Sequence, residues 1–313
     1  DAKVAAQDVA GLGFDATCSL VVADAAGGPV SVCPDGTDGQ DVVLWMDHRA
    51  IADADVINAT GASVLDHVGG VISPEMQMPK LRWLKRELPQ AWARAARFWD
   101  LPDWLAHRAT GTETRSLCSA VCKWTYLGHL GVAGEGWDGT FLAQIGLADL
   151  AADPARIGTR FAAPGEAVGR LNAAASSELG LPEGTPVASG MIDAYAGVLG
   201  TLGVAPERGH EARLAVIAGT SACHILTTPK AVFVPGVWGP YHSVLLGGVW
   251  ANEGGQSAAG ALVDAVLARH SAFAGVQAEA AATGLRPTDV LAARLAKLAP
   301  ETTTLTRNCH VQP

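Results

Sequence analysis

Three short turns rich in small residues hold the side chains most suited to chemistry. Residues 190–197 (GMIDAYAG) place the carboxylate of Asp193 at a turn that we expect to open into a helix. Residues 217–221 (IAGTS) and 252–257 (NEGGQS) are predicted to form two more such turns. A carboxylate accompanied by glycine and hydroxyl turns suits a reaction that removes a proton and cradles a phosphate. The pattern therefore indicates phosphoryl transfer to an alcohol.

Asp193 has two interpretations. As a general base, its carboxylate would accept the proton of an attacking hydroxyl group. Asp is also favoured as a helix N-cap, where the carboxylate accepts backbone N–H groups and takes no part in a reaction. The glycine and hydroxyl turns that accompany the Asp193 motif favour the general base.

The other candidate residues also keep two interpretations each. Gly219 and Thr220 can bind phosphate through backbone N–H groups and a hydroxyl, or they can simply turn a hairpin. Glu253 either binds substrate hydroxyls or lies exposed in its turn. Lys123 follows an apolar stretch, and its ammonium group either reaches a polar ligand or extends to solvent. Residues 47–49 (DHR) end a predicted strand and either bind a polyol or form a local charge network.

The absence of two nucleotide motifs narrows the chemistry. The sequence contains no Walker A motif, Gly-x-x-x-x-Gly-Lys-Ser/Thr. It also contains no Gly-x-Gly-x-x-Gly, which counts against a Rossmann dinucleotide site. Any phosphate therefore has to be held in another way.

Composition favours a folded enzyme with a small-molecule substrate. The chain has 313 residues, of which 49% are hydrophobic and 17% charged, and a net charge of −9. Single cores rarely grow beyond about 250–300 residues, so two cores are expected. The sequence has no Lys/Arg run, which argues against nucleic acid and anionic membranes as partners. We also expect no signal peptide and no membrane span.

Cysteine usage predicts a reducing compartment. Six cysteines in 313 residues are too sparse for a disulfide scaffold. Cys118 and Cys122 lie one helical turn apart and could share a metal, but no second Cys/His pair at zinc spacing accompanies them. Buried reduced thiols and a cytoplasmic location are therefore predicted.

Hydrophobic patterning and turn residues predict mixed α/β structure. A helical region is expected over residues 76–130, and a linker with a domain boundary at about 205–212. Other predicted elements include strands at 42–46, 187–189, 214–217, 223–227 and 244–250, β-structure over 11–33, and helices at 139–150, 169–180 and 257–269. The strands at 214–217 and 223–227 should form a hairpin around a tight polar turn.

Several motifs taken in order carry a resemblance to a known family. They are residues 14–19 (FDATCS), 44–49 (LWMDHR), 98–105 (FWDLPDWL), 122–124 (CKW), the Asp193 motif, 218–221 (AGTS) and 253–257 (EGGQS). The chain resembles the FGGY carbohydrate kinases and, within them, the ribulokinase-like pentulose kinases. The resemblance spans nearly the whole chain, and its specificity comes from the joint occurrence of the motifs.

The resemblance implies an α/β fold of the actin-like ATPase (ribonuclease H-like) type with two domains. Residues 1–207 would form the sugar-binding N-terminal domain without its first phosphate hairpin, and residues 208–313 part of the C-terminal nucleotide-binding domain. Such kinases use ATP and Mg²⁺. The resemblance assigns no metal ligand in this chain.

The family's site residues carry over to positions of this chain. Asp193 matches the general base, which also contacts the sugar's terminal hydroxyl. The positions that match the sugar site are Cys18, Lys123 and Glu253. The positions that match nucleotide contacts are Gly219, Thr220, Gly260 and Asp264.

Two departures from the family lie at the ends of the sequence. The family begins with a phosphate hairpin that carries an aspartate, and it continues with a glycine-rich adenine loop beyond the position of Pro313. We expect little or no kinase turnover from a chain limited to residues 1–313, because such a chain would lack one of the two phosphate-binding loops of the family. The predicted function is therefore that of the parent protein.

The parent protein is predicted to phosphorylate a pentulose with ATP. D-Ribulose, phosphorylated at its 5-hydroxyl to D-ribulose 5-phosphate, is favoured, and ribitol or L-ribulose comes next. The predicted partner is thus a small sugar, and a homodimer is the predicted assembly because homodimers are the commonest oligomers. One alternative is a non-catalytic sugar-binding protein on a kinase scaffold. Another is a hydrolase with Ser221 or Cys18 as nucleophile, although the Gly-x-Ser-x-Gly elbow is missing.

Overall fold

The computed structural model describes residues 3–37, 39–204, 207, 209–211 and 213–298. The chain divides into two compact units. The first comprises Asp1–Val216 and His224–Gly254, and the second comprises Ile217–Cys223 and Gly255–Pro313. The predicted linker at 205–212 falls partly outside the described residues, and so does the end of the predicted second domain. The boundary between residues 207 and 208 stays a prediction.

The described residues alternate strands and helices. The strands are β1 (Asp15–Ala16), β2 (Leu20–Ala23), β3 (Val42–Val43), β4 (Arg97–Asp100), β5 (Arg115–Ser116), β6 (Phe161–Ala162), β7 (Ala167–Arg170), β8 (Pro186–Ala188), β9 (Met191–Ile192), β10 (Ala215–Ala218), β11 (Ala222–Thr228), β12 (Trp238–His242) and β13 (Trp250–Gln256). The helices are α1 (Ile51–Asn58), α2 (Gln77–Glu87), α3 (Pro89–Arg94), α4 (Leu101–Thr110), α5 (Leu117–Lys123), α6 (Gly139–Gln144), α7 (Ala148–Ala152), α8 (Ala173–Leu179), α9 (Asp193–Gly203), α10 (Gly260–Arg269), α11 (Phe273–Thr283) and α12 (Pro287–Leu298). Among these helices, none is long and apolar enough to cross a bilayer.

The sheet β3–β2–β4 forms part of the core of the first unit. Its central strand β2 reads Leu-Val-Val-Ala, and all four residues are buried. A continuous apolar run of this length is expected where both faces of a strand are covered. Val21 is paired with Trp99 across the antiparallel β2–β4 ladder, and both belong to one hydrophobic cluster. Strand β4 ends at Asp100 and passes directly into α4.

Short strand pairs hold the remaining parts of the first unit. β1 pairs with β9 and β5 with β6, both in parallel, whereas β7 and β8 are antiparallel. A further sheet, which is not confined to the first unit, has the strand order β10–β11–β13–β12. In its antiparallel β12–β13 pair, Trp238 lies opposite Glu253 and Tyr241 opposite Ala251.

The prediction of a strand at residues 244–250 is wrong. Val244 and Leu245 are buried, but the chain bends there, and β13 begins only at Trp250. The N–H of Gly248 donates to the Ser243 hydroxyl at 2.9 Å, and Gly248 has a positive φ of 80°. The apolar run is thus buried in a loop that a glycine turn closes, because burial alone does not require extended structure.

Other predicted elements are shorter than expected. The strand predicted at 42–46 is confined to β3, residues 42–43, because the Lys80 ammonium group takes the Leu44 and Trp45 carbonyls that a strand would use. The helix predicted at 139–150 is broken into α6 and α7. The segment 169–180 begins as β7, and its helix starts only after the Asn172 cap. Residues 76–130 are mostly helical, as predicted, with β4 and β5 between the helices, and the β10–β11 hairpin strands are confirmed. Helix α10 begins at Gly260 rather than at 257, and the turn predicted at 252–257 is wrong because residues 252–256 belong to β13.

Candidate active site

The parallel pair β1–β9 brings two candidate segments to one sheet edge. Ala16 lies beside Ile192 in the register of this pair. The residues that follow, Thr17 and Cys18 on one strand and Asp193 on the other, therefore leave the sheet side by side. In open α/β sheets, ligands bind beyond the carboxyl ends of parallel strands, and this edge is such a position.

Asp193 is the first residue of α9, and its side chain is exposed. The N-cap position belongs to Ile192, and Asp193 Oδ1 accepts the N–H of Ala194 at 2.8 Å. The partial positive charge at a helix N-terminus favours a carboxylate at this position. The side chain thus has one oxygen held by the helix and remains accessible for proton exchange.

The segment before Asp193 is held by α4 and β5. A Cβ atom at Gly190 would lie 3.0 Å from Pro102 Cβ and 3.1 Å from its carbonyl oxygen, so the close approach of α4 favours glycine. The Ser116 hydroxyl donates to the Gly190 carbonyl at 2.5 Å, and the Ser116 N–H donates to Asp103 Oδ1 at 2.8 Å. These buried contacts fix the path of the chain into Asp193.

Lys123 and Glu253 lie in one buried environment without forming an ion pair. Lys123 ends α5 and is 8% exposed, and Glu253 lies on β13 and is 4% exposed. No ion pair within 4.0 Å joins these two described residues. Burial lowers the pKa of Lys123, but the charge of Glu253 and nearby acidic groups outweighs it and raises this pKa well above its ordinary value. The Lys123 Nζ atom lies 4.6 Å from the centre of the Trp238 ring.

Tyr195 is a member of this site that the sequence analysis missed. It lies on α9, two residues after Asp193, and is fully buried. Its hydroxyl donates to Glu253 Oε2 at 3.1 Å. A tyrosine in an apolar stretch is a usable signal, because a buried phenol hydroxyl needs a hydrogen-bond partner.

Cys18 is buried two residues after β1, and its thiol keeps its proton. Burial raises the pKa of this thiol to about 12, with Lys123 lowering it and Asp100 raising it. The Gln77 side-chain amide donates to the Cys18 carbonyl at 2.8 Å, which fixes the backbone here. A thiol with this pKa is a poor nucleophile, which argues against the hydrolase hypothesis for Cys18.

Asp100 and Lys80 extend the site beyond the predicted residues. Asp100 Oδ2 accepts the indole N–H of Trp124, whereas its Oδ1 has no partner among the described residues. Burial raises the pKa of Asp100 to about 6 despite the Trp124 hydrogen bond and the nearby lysines. Burial lowers the pKa of Lys80, whose ammonium group donates to main-chain carbonyls. We call Cys18, Lys80, Asp100, Lys123 and Glu253, which interact electrostatically, the buried polar cluster.

The second unit contains the predicted phosphate turn. The Gly219 N–H donates to the Ser221 carbonyl at 2.8 Å, which closes the turn between β10 and β11. The Thr220 carbonyl accepts the N–H of Ala259 at 2.9 Å, and Ala259 is the N-cap of α10. Gly219 and Thr220 are exposed, so the Thr220 hydroxyl is available to a ligand.

The two remaining nucleotide candidates lie on α10. Gly260 is its first residue, Asp264 follows one helical turn later, and both are exposed. The Thr220–Ala259 hydrogen bond therefore places the predicted phosphate turn next to the start of the helix that carries Gly260. A helix N-terminus beside a glycine-hydroxyl turn is suited to anions.

The remaining sequence candidate, residues 47–49, has a local role. Arg49 and Asp47 form an ion pair at 2.7 Å, and His48 contacts Glu75 at 2.9 Å, so residues 47–49 belong to a local charge network. Among the described residues, no group of three or more His, Cys, Asp or Glu side chains is arranged to hold a metal ion. Magnesium commonly binds substrate phosphates with few protein ligands, so its use does not require such a group.

Solved structures define the class of the fold. A ligand-bound xylulose kinase from Lactobacillus acidophilus matches with a TM-score of 0.67 at 18% identity, over 97% of this chain and 55% of that chain. The xylulose kinase from Rhodospirillum rubrum matches with a TM-score of 0.66 at 19% identity, over 87% of this chain and 52% of that chain. The predicted α/β actin-like ATPase fold is thereby confirmed.

Sequence comparisons establish the family. Residues 4–200 match the N-terminal domain and residues 214–313 the C-terminal domain of the FGGY family of carbohydrate kinases. The chain belongs to this family, as its motifs predicted.

Individual relatives agree with this membership. An FGGY carbohydrate kinase domain-containing protein from Danio rerio is 48% identical over 97% of this chain and 58% of its own length. A D-ribulokinase from Saccharomyces cerevisiae is 45% identical over 85% of this chain and 41% of its own length. The chain thus spans about half the length of the curated relatives it matches.

Proposed function

We propose that the full-length protein is an ATP-dependent sugar kinase that phosphorylates a pentulose. D-Ribulose, which would become D-ribulose 5-phosphate, is the first candidate, followed by ribitol and L-ribulose. The observation that carries the proposal is that Lys123 and Glu253 are both buried, form no ion pair with each other, and lie in the unit that also contains Asp193. The similarity to a protein named D-ribulokinase supports the choice of pentulose.

The buried polar cluster has the chemistry that a polyol requires. Lys123 offers only hydrogen-bond donors and the Glu253 carboxylate only acceptors, whereas each sugar hydroxyl both donates and accepts. Because the two charges do not pair with each other, hydroxyls of one ligand can satisfy both. Hydrogen bonds to charged groups contribute about 1.5–3 kcal/mol each. Cys18 would complete the sugar-binding set as a neutral thiol.

Asp193 would act as the general base. Phosphoryl transfer needs the attacking hydroxyl to be positioned and its proton accepted while the phosphoryl group moves in line. The exposed carboxylate of Asp193 can accept that proton and release it to solvent. A general base of this kind contributes about 10²–10⁴-fold to the rate.

The second unit would supply the nucleotide contacts. The exposed Gly219 and Thr220 fit phosphate oxygens, and Gly260 and Asp264 on α10 fit further contacts to ATP. Bound Mg²⁺ would neutralise the phosphate charge, held mainly by the phosphates themselves. In this proposal residues 1–207 form the sugar domain and residues 208–313 part of the nucleotide domain. A cytoplasmic location and a homodimer stay predictions.

A coupled assay of ADP release tests the function directly. The full-length protein should release ADP with D-ribulose, and more slowly with ribitol or L-ribulose, in a panel of pentuloses, pentitols and glycerol. Absence of sugar-dependent ADP release across this panel would contradict the proposal.

A non-catalytic sugar-binding protein is the second candidate. It is favoured by one observation: Cys18, Lys123 and Glu253 all lie in the first unit, so sugar binding there need not depend on nucleotide. Calorimetry separates the two functions, because this candidate binds sugar without binding ATP, whereas a kinase binds both.

A further inference from the structure

The hydrogen bond between Tyr195 and Glu253 joins two parts of the proposed site that are distant in sequence. Tyr195 lies on α9, whose first residue is Asp193, and Glu253 lies on β13. The donor and acceptor are 58 residues apart, and both side chains are buried. The contact therefore links the helix that begins with the proposed base to the strand that carries a proposed sugar ligand.

This hydrogen bond fixes the orientation of the Glu253 carboxylate. Its Oε2 atom is held by the tyrosine hydroxyl at 3.1 Å, whereas Oε1 has no hydrogen-bond partner among the described residues. Burial raises the pKa of Tyr195 well above its ordinary value, so the hydroxyl keeps its proton and remains a donor. The bond therefore holds Oε2 and leaves Oε1 for another donor.

We propose that Tyr195 is a positioning residue of the sugar site. Through its hydrogen bond to Glu253 Oε2, it directs Oε1 toward a sugar hydroxyl and holds the carboxylate in a fixed position relative to Asp193. This inference rests on the proposed kinase function. Tyr195 need not touch the sugar, because its effect passes through the carboxylate. The buried hydroxyl then has a role in recognition beyond packing.

Tyr195→Phe in the full-length protein tests this role, because it removes the hydroxyl and keeps the ring. With D-ribulose, ATP and Mg²⁺, we expect the KM for D-ribulose to rise about tenfold, because a Glu253 carboxylate that is no longer oriented loses most of its hydrogen bond to the sugar hydroxyl. The KM for ATP should not change. An unchanged KM for D-ribulose would overturn the inference.

Tyr126→Phe is the matched control. Tyr126 is also buried, at 1% exposure, and its hydroxyl donates to the Gly131 carbonyl at 2.9 Å, outside the buried polar cluster. This variant should keep the wild-type KM for D-ribulose. An equal rise of this KM in both variants would reveal a general response to a lost buried hydroxyl and would overturn the specific role of Tyr195.

A double-mutant cycle shows whether Tyr195 acts through Glu253. Glu253→Gln alone should raise the KM for D-ribulose, and adding Tyr195→Phe should change it little further. This comparison of Glu253→Gln with the double variant also serves if the single Tyr195→Phe variant does not fold. A further tenfold rise in the double variant would show independent action and overturn the inference.

The same measurements distinguish this inference from the function on which it rests. A wild-type protein without sugar-dependent ADP release overturns the kinase proposal itself. A wild-type kinase in which Glu253→Gln raises the sugar KM, but Tyr195→Phe does not, overturns only the positioning role of Tyr195.

Discussion

The buried polar cluster of the first unit and the phosphate turn of the second differ most in exposure. Lys80, Asp100, Lys123 and Glu253 are buried with their charges, whereas Gly219, Thr220, Gly260 and Asp264 are exposed. Burying a charged side chain is costly unless a partner compensates its charge. The residues of the buried polar cluster that are proposed to bind the sugar therefore also affect the free energy of unfolding. Exposed turns carry no such cost. Substitutions in the two regions should therefore differ in whether they change stability as well as activity.

Asp193→Ala should give the largest loss of activity. Removal of a general base is expected to lower kcat by about 10²–10⁴-fold. Because the side chain is exposed, the thermal unfolding midpoint should stay near that of the wild type, although Asp193 belongs to the first unit. Coupled ADP release with D-ribulose and a thermal melt measure both. Near-normal turnover in the full-length variant would refute the assignment, and Asp193→Asn provides the isosteric control.

Lys123→Met should give the largest loss of stability. It leaves the buried Glu253 carboxylate without the positive charge that offsets its burial, so the free energy of unfolding should fall by about 1–3 kcal/mol. The KM for D-ribulose should rise as well. Urea unfolding monitored by tryptophan fluorescence measures the free energy. Adding Glu253→Gln should recover part of the loss; a double variant less stable than Lys123→Met would contradict the electrostatic coupling of the two residues.

Asp100→Asn should change how stability depends on pH. The pKa of Asp100 is about 6 in the folded protein, above its unfolded value of 3.8. The folded state then binds the proton more tightly, so this group contributes stability at low pH that is lost as the pH rises from about 4 to 6. The loss is on the order of 3 kcal/mol for a shift of this size.

Asparagine at position 100 does not titrate and can still accept the Trp124 hydrogen bond. The unfolding free energy of Asp100→Asn should therefore rise relative to that of the wild type between pH 4 and pH 7, because only the wild type loses stability as Asp100 ionises. Denaturant titrations at several pH values give this difference. Parallel stability curves for the two proteins across that range would show that Asp100 does not titrate there.

Thr220→Val should affect nucleotide binding alone. Loss of one hydroxyl contact to a charged phosphate should raise the KM for ATP about 10–100-fold. Because Thr220 is exposed, the free energy of unfolding should change by no more than about 0.5 kcal/mol. Steady-state kinetics with varied ATP and a denaturant titration give both values. A change in the KM for D-ribulose with none in the KM for ATP would contradict the prediction, because it would show that the turn contacts the sugar rather than the nucleotide.

Cys18 should be alkylated only slowly by a thiol reagent, which is the smallest effect predicted here. With a thiol pKa of about 12 and a buried side chain, it should resist iodoacetamide at pH 8, whereas the partly exposed Cys33 should react. Peptide mass spectrometry after labelling of the native protein identifies the modified cysteines. Modification of Cys18 as fast as Cys33 would mean that the cluster opens readily to solvent.

The sequence alone was sufficient for the Gly219–Thr220 turn, the start of helix α9 and the family. The Gly219–Thr220 turn could be predicted because turn formation depends on nearby residues. The turns predicted around Asp193 and at 252–257 are wrong, because Met191–Ile192 form strand β9 and residues 252–256 belong to strand β13. Helix α9 begins at Asp193 as expected. The predicted family and fold class were confirmed by comparison with related chains.

Tertiary structure decided which side chains became a cluster. Tyr195 meets Glu253, and Asp100 meets Trp124, through contacts between residues far apart in the chain. The wrong strand at 244–250 has the same origin, since its apolar residues are buried in a loop. Turn geometry is set within a few residues, but burial and pKa depend on every element packed around a side chain, and local sequence does not contain that information.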